Sequence, residues 1–358
     1  MKTWAAKLFK TKASSHVGLD ISATSIKVVE VARHRDGVVV QRIGSTDIPE
    51  GVMQDGTIAD AEKLADVIRT LVATTGIQRK EVTVGLGGRK AYSREISLPV
   101  MSEPEMREAI KWDIDQYVPY APGSYYYDFA VLDTVENETK ILIVAAQQEH
   151  VKVISDLCSH ADLKLLTVDF EALALQRTLV QDQNMMVVDI GEIVSQVIIY
   201  QGRLPVLVRT IPFGGRQFTE TVIHHCNVSY PEAEQLKNKE LNLLQAQPAI
   251  ATDDTYAALR QQFIILAEDL SREIRRTYEY YQMQNPRVVM DRIYLSGGGA
   301  KLGHLPEFLQ KQLQLPVTVH DPLLTLQTVP MYDKQYLTAE AARLAIAIGL
   351  GLRGLSDD

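Results

Sequence analysis

The chain has 358 residues, 46% hydrophobic and 23% charged, an ordinary balance for a globular protein with room for two domains. Its net charge of −8 argues against a nucleic-acid partner, which would favour a basic face. No run approaches the roughly 18 consecutive apolar residues of a transmembrane helix, and Cys158 and Cys226 sit in no metal-like spacing, reading as free thiols of a reducing compartment.

The start, MKTWAAKLFKTKASSH (1–16), reads as a frayed tail. The competing reading is a membrane-surface foot, with lysines around Trp4, Leu8 and Phe9. Its apolar run is too short for a signal peptide. From 17 to 50 the segments GLDIS, SIKVVEVARH and VVVQRIGSTDI read as a three-strand meander. ADAEKLADVIRTLVATTGI has helical spacing and stops at Gly76, and EVTVGLGG is a buried strand.

Residues 91–163 read as a β-α-β-β-α module. Strand YSREISLP precedes a helix opened by a Ser102–Glu105 capping box, followed by strands YYYDFAVLDT and KILIVAAQ and a helix from about Glu149. LLTVDFEALALQRTLV is a strand turning into a helix. NMMVVDIGEIVSQVIIYQGR is a strand hairpin, and LPVLVRTIPFGGRQFTETVIHHC a strand then a helix. PEAEQLKNKELN and TYAALRQQFIILAEDLSREIRRTYEYYQMQ are helical, with LLQAQPAIATDD between them as a surface loop. RIYLSGGG and PVTVHDP are strands, and TAEAARLAIAIGLGLRGL is a closing helix.

Two of these segments nearly repeat one another about 170 residues apart. HVGLDISATSIKVVEVA and NMMVVDIGEIVSQVIIYQGR each place an Asp (Asp20, Asp189) at the end of an apolar strand, then a tight turn, then an alternating strand. IYLSGGGAKLGHL adds a strand opening through Gly297, Gly298 and Gly299 into a helix. Small turns aim backbone N–H groups at phosphate oxygens. Two carboxylates suit a hydrated Mg2+ ion, which keeps several waters. Lys27 would neutralise phosphate charge, and glycines before a helix let a phosphate or purine approach closely. The competing reading of Asp20 and Asp189 is a turn-capping Asp without a ligand.

This pattern resembles the actin/Hsp70/FtsA superfamily and, within it, the PilM family of actin-like proteins of type IV pilus assembly. The resemblance rests on GLDISATSIKVVEV, KWDIDQYVPYAP, FGGRQFTE, the GGG segment and AIAIGLGLR, in order over nearly the whole chain. It implies an α/β, two-domain actin/Hsp70-like ATPase fold with an inserted FtsA-type 1C subdomain. The implied division is a tail at 1–16, the first domain (1A) at 17–90, 1C at 91–163, a return to 1A with an interdomain helix at 164–188, the second domain (2A/2B) at 189–335, and a C-terminal helix back to 1A at 336–358.

The resemblance implies ATP or ADP with Mg2+ between the two Asp hairpins. Ser22 stands where the family usually has glycine, and Ala23, Thr24 and Ser25 would supply the rest of the first phosphate loop. In the second loop, Gly191 is followed by Glu192, Ile193 and Val194 before Ser195. An acidic and two β-branched residues are a poor phosphate cradle, and Glu192 would repel a γ-phosphate unless it faces away or helps hold the metal; the competing reading is a degenerate hairpin that keeps only its structural role. Asp169 and Glu171 fall where actin-like ATPases orient the attacking water; an N-cap of the crossing helix explains Asp169 equally well. Glu234 and Lys237 match the stretch that reaches ribose and purine, with an exposed (i, i+3) pair as the alternative. Gly214 and Gly215 would let the backbone turn near the nucleotide, or serve only strand–helix packing.

The implied role is a nucleotide-binding scaffold of the pilus inner-membrane platform, cytoplasmic and peripheral to the membrane through its partner. That partner is the short cytoplasmic N-terminal segment of PilN, with pilus motor ATPases and self-association as further candidates. Tyr117, Tyr120, Tyr125, Tyr126 and Tyr127 on a small sheet suit capture of an extended peptide, or else seal the 1C core. The alternative function is a catalytically active ATPase or sugar-kinase-like enzyme of the same superfamily. FtsA ends in an amphipathic membrane helix, whereas this chain ends LRGLSDD, which counts against a division-filament role.

Overall fold

The computed structural model describes residues 15–180, 184–239, 253–329 and 332–355. The tail at 1–14, and 243–252 of the stretch read as a surface loop, lie outside the described residues.

In chain order, strands β1 (Ser15–Ile21), β2 (Ser25–His34) and β3 (Gly37–Asp47) precede a short pair, β4 (Met53–Gln54) and β5 (Thr57–Ile58), helix α1 (Ala61–Thr75) and strand β6 (Glu81–Leu86). Next come β7 (Ala91–Pro99), α2 (Glu103–Tyr117), β8 (Tyr125–Val135), β9 (Glu138–Gln147), α3 (Gln148–His160), β10 (Lys164–Phe170) and α4 (Glu171–Gln176). Then follow β11 (Met185–Ile190), β12 (Ser195–Gln201), β13 (Leu204–Ile211), α5 (Gly215–Cys226), α6 (Tyr230–Lys239) and α7 (Asp253–Gln284). The chain closes with β14 (Arg292–Ser296), α8 (Leu305–Leu313), β15 (Val317–Val319), β16 (Gln327–Thr328) and α9 (Lys334–Arg353).

The chain divides into two compact units. The first holds the residues up to Leu86, Lys152–Leu179 and those from Asp321 onward; the second holds Gly87–Val151 and Val180–His320. Each is built on a sheet of the same design. In the first unit the strand order is β10-β6-β1-β2-β3-β16, and in the second it is β13-β12-β11-β14-β15. Both contain an antiparallel three-strand meander whose first strand (β1 or β11) is flanked by parallel strands on its other side. The near-repeated segments are thus the equivalent hairpins β1–β2 and β11–β12 of two equivalent sheets.

Parallel strands are covered on both faces, so they read as continuous apolar runs. Val187, Val188, Val197, Ile198 and Ile199 are all fully buried. Helix α9 covers the first sheet, where Leu344, Ala347 and Ile348 join Val29, Val31 and Val40 in one core. The approach is close enough to demand glycine. A Cβ on Gly349 would collide with the carbonyl of Ala174 in α4, and one on Gly18 in β1 would strike the α9 backbone. Ala normally stabilises a helix relative to Gly. Here the obstacle is backbone, so Gly349→Ala is expected to reverse the sign and cost about 2 kcal/mol by overpacking. A denaturant titration that finds the variant as stable as the parent would refute this contact.

The second unit also carries the three-stranded sheet β7-β9-β8. Helix α2 starts as its sequence predicts: Ser102 is the N-cap, and Glu105 accepts hydrogen bonds from the Ser102 N–H at 2.9 Å and its hydroxyl at 2.7 Å. Met106, Ile110 and Ile114 of α2 pack on Ile96, Ile141 and Ile143. Tyr125 belongs to this core, where burial and its hydrogen bond to Asp115 push its hydroxyl up to about 12. Tyr117, Tyr120 and Tyr127 pack against it, while Tyr126 points outward and is 57% exposed.

One local expectation differs. The triple glycine opens into a helix, but a 3-10 one: Gly298–Lys301 form a single tight turn, and the α-helix α8 begins only at Leu305. Gly297 has φ of 81°, which cannot continue a right-handed helix, and glycine is a poor helix former.

Candidate functional site

In the first unit Asp20 lies at the end of β1, directly across the ladder from Lys27. The two form a buried ion pair, Lys27 Nζ to Asp20 Oδ2 at 2.9 Å, with side chains only 7% and 6% exposed. Lys27 also donates to Ser22 Oγ at 2.8 Å, and the Ser22 hydroxyl donates to the Ser25 carbonyl at 2.9 Å. Ser22 therefore supplies a hydroxyl that closes the turn and helps hold Lys27, which glycine would not do. The Ser22 N–H bonds back to the Ser25 carbonyl at 3.0 Å. The Ala23 and Thr24 N–H groups at the tip find no backbone acceptor among the described residues.

In the second unit Asp189 occupies the equivalent place at the end of β11, opposite Gln196 of β12 and beside Ser296 of the parallel strand β14. The carboxyl ends of parallel strands are where open α/β sheets bind ligands. The triple glycine follows immediately. A Cβ on Gly297 would stand 2.9 Å from Asp189 Oδ1, and one on Gly299 would collide with Ile190, whereas one on Gly298 would meet nothing. Gly297 and Gly299 thus serve close packing on the hairpin, and Gly298 presents bare backbone to open space.

The turn Gly191–Val194 is closed by the Gly191 N–H to the Val194 carbonyl at 3.2 Å. The N–H groups of Glu192 and Ile193 at its tip lack a backbone acceptor among the described residues. Ser195 is fully buried and its hydroxyl donates to the Phe213 carbonyl at 2.7 Å, so it pins β12 to the following segment. Gly214 and Gly215 lead into α5 under this turn. The Gly215 N–H bonds the Gly191 carbonyl at 2.8 Å and the Arg216 N–H bonds the Glu192 carbonyl at 2.9 Å. A Cβ on Gly214 would collide with the Glu192 backbone.

Glu234 and Lys237 meet on α6, and Lys237 is buried. Its ammonium donates to Thr219 Oγ1 at 2.8 Å and to Glu234, and Thr219 also donates to Glu234. This is a built polar cluster beside the N-terminal turn of α5, since a Cβ on Gly215 would stand 3.6 Å from Lys237 Nζ.

Asp169 and Glu171 belong to the first unit, at the β10–α4 junction. Asp169 is buried, accepting from Arg177 Nη1 at 2.6 Å and from Arg353 of α9, with its own Oδ1 also 3.0 Å from the Phe170 N–H. The N-cap of α4 is Phe170. The Glu171 side chain lies against Gly85, where an added Cβ would be 3.3 Å from its Cγ.

Within the second unit the structure therefore gathers Asp189, Gly191 and Gly297–Gly299, with Gly214, Gly215, Glu234 and Lys237 adjoining. Within the first it gathers Asp20, Ser22, Ser25 and Lys27. Sequence reasoning missed Tyr230, whose hydroxyl donates to Glu192, and the arginines on Asp169. The available signal was the carboxylates themselves, because a buried charge requires a partner.

Two equivalent sheets with Asp-bearing hairpins define the actin/Hsp70-like fold. The chain superposes on ethanolamine utilization protein EutJ from Carboxydothermus hydrogenoformans with a TM-score of 0.57 (15% identity, 95% of this chain and 89% of that one). For MreB 5 of Spiroplasma citri bound to AMPPNP the TM-score is 0.52 (13% identity, 94% of each chain). A chain of a solved PilM-PilN type IV pilus biogenesis complex matches with a TM-score of 0.82 and 25% identity over 95% of this chain and 98% of that one. Residues 18–355 match the family described as type IV pilus assembly protein PilM, and the chain belongs to that family.

Proposed function

We propose that this chain is a nucleotide-binding scaffold of type IV pilus assembly that captures the N-terminal segment of a PilN-type membrane protein. The observation that carries the reading is family membership over nearly the whole chain, supported by the likeness to a chain of the PilM-PilN complex. Among the described residues no helix is long and apolar enough to cross a membrane. Attachment to the inner membrane through the partner fits that observation.

Each unit, taken by itself, offers groups of the kind that suit a nucleoside di- or triphosphate with Mg2+. The tip N–H groups of Ala23, Thr24, Glu192 and Ile193 suit phosphate oxygens, and Lys27 supplies a positive charge. Asp20 in the first unit and Asp189 in the second each offer a carboxylate that suits a hydrated metal, which would neutralise phosphate charge. Gly298 offers backbone to the nucleoside side, and Glu234 with Lys237 offers polar groups to ribose and base.

The PilN-type segment is assigned to the β7-β9-β8 sheet. Strand β8 is an edge strand, pairing with β9 alone among the described residues, and Tyr126 is exposed on it. An unpaired edge accepts an extended peptide by strand addition.

The test is isothermal titration with a peptide copying the partner's N-terminus, with and without Mg-ATP, beside Asp189→Ala. The expected result is nucleotide-dependent peptide binding in the parent and no response to nucleotide in the variant. Binding indifferent to nucleotide would reduce the chain to a passive adaptor. No binding, together with appreciable ATP turnover, would overturn the scaffold reading.

A further inference from the structure

The second phosphate loop carries a carboxylate where an anion is to be received, and the structure shows what becomes of it. The Glu192 side chain is turned back over the N-terminal turn of α5 and is only 14% exposed. Its Oε1 accepts the hydroxyl of Tyr230 from α6 and lies 3.8 Å from Nε of Arg216 in α5. Its Oε2 lies against Gly215, where an added Cβ would stand 3.4 Å away. Burial, the bond to Glu192 and the nearby Glu234 carboxylate push the Tyr230 hydroxyl well above its ordinary range, so it remains a donor at every physiological pH.

From this geometry we infer that Tyr230 is a specificity-determining residue that holds the Glu192 carboxylate off the polyphosphate path, so that this altered loop still admits a di- or triphosphate. The inference rests on the nucleotide reading above. Glu192 has its backbone N–H at the turn tip, so only its side-chain direction decides whether the residue attracts or repels an anion. Tyr230 comes from a different helix and sets that direction from outside the loop. Arg216 balances the charge of the stowed carboxylate but at 3.8 Å does not replace the hydroxyl bond. With the hydroxyl removed, the carboxylate gains the freedom to swing toward the tip, where it would repel the β- and γ-phosphates but leave a monophosphate nearly untouched.

The test uses the full chain with Mg2+ and fluorescent N-methylanthraniloyl ATP, with AMP as a competitor. Tyr230→Phe is expected to weaken ATP binding about tenfold, the effect of one uncompensated charge repulsion near the surface. AMP affinity is expected to stay within about twofold. In the Tyr230→Phe, Glu192→Gln double variant ATP binding is expected to return to near the parent value. Equal losses for AMP and ATP, or a loss that persists in the double variant, would show that Tyr230 merely supports the fold and would overturn the inference. Unchanged ATP binding in Tyr230→Phe would overturn it as well. A parent chain that binds no nucleotide would sink the nucleotide reading itself, and this inference with it.

Discussion

Asp169→Ala is expected to lower the unfolding free energy by about 3 kcal/mol, toward the low end for breaking a buried ion pair because both arginines keep some solvent contact. Asp169 is 1% exposed and joins Arg177, which follows α4, to Arg353 at the end of α9, whose side chains are 18% and 34% exposed. Arg177 also donates to the Gly349 carbonyl at 3.4 Å, so the same cluster steadies the close crossing of α4 and α9. Removing the carboxylate leaves two guanidinium groups facing each other without an anion. Asp169→Asn retains the size and one acceptor and is expected to lose less. The measurement is the urea midpoint at constant slope. A variant of parental stability that has lost ATP turnover would instead mark Asp169 as a residue orienting water. Both of its oxygens are engaged by arginine, which supports the bracing part.

Lys27→Met is expected to cost about 3 kcal/mol as well, because it strands the Asp20 carboxylate, buried and opposite an apolar side chain. Ser22 loses a donor at the same time. Removing both charges, with Lys27→Met and Asp20→Leu together, is expected to recover most of the stability, since a buried pair contributes little net beyond a packed apolar pair. The double variant also separates the two parts assigned to this pair. If Lys27 and Asp20 serve phosphate and metal as proposed, the restored fold binds no Mg-nucleotide. A double variant that is as unstable as the single one would deny the pairing. One that is stable and still binds nucleotide would confine the pair to the fold.

The sheets were legible because the determinants are local. A run of buried β-branched residues ending in Asp and a small turn specifies a hairpin wherever it occurs, and it occurs twice. The start of α2 was legible for the same reason: a capping box closes within four residues of chain. The tyrosine cluster was legible only as a set. Which member is core and which faces outward depended on strand register, with Tyr125 buried and Tyr126 exposed by simple alternation along β8. The triple glycine was legible as a special backbone, but its three residues divide between packing and openness only once Ile190 and Asp189 are in place beside them.

The sequence by itself determined the doubled hairpin design and the order of the main elements. Periodicity, caps and turn chemistry act over a few residues and need no fold to operate. The tertiary structure alone decided what the charges do. Glu192 is stowed by a tyrosine 38 residues away, and Asp169 is held by an arginine 184 residues away. Gly349 is required by the carbonyl of Ala174 on another helix. A charge or a missing Cβ has no periodicity to reveal its partner, because burial and close approach are properties of the packed chain.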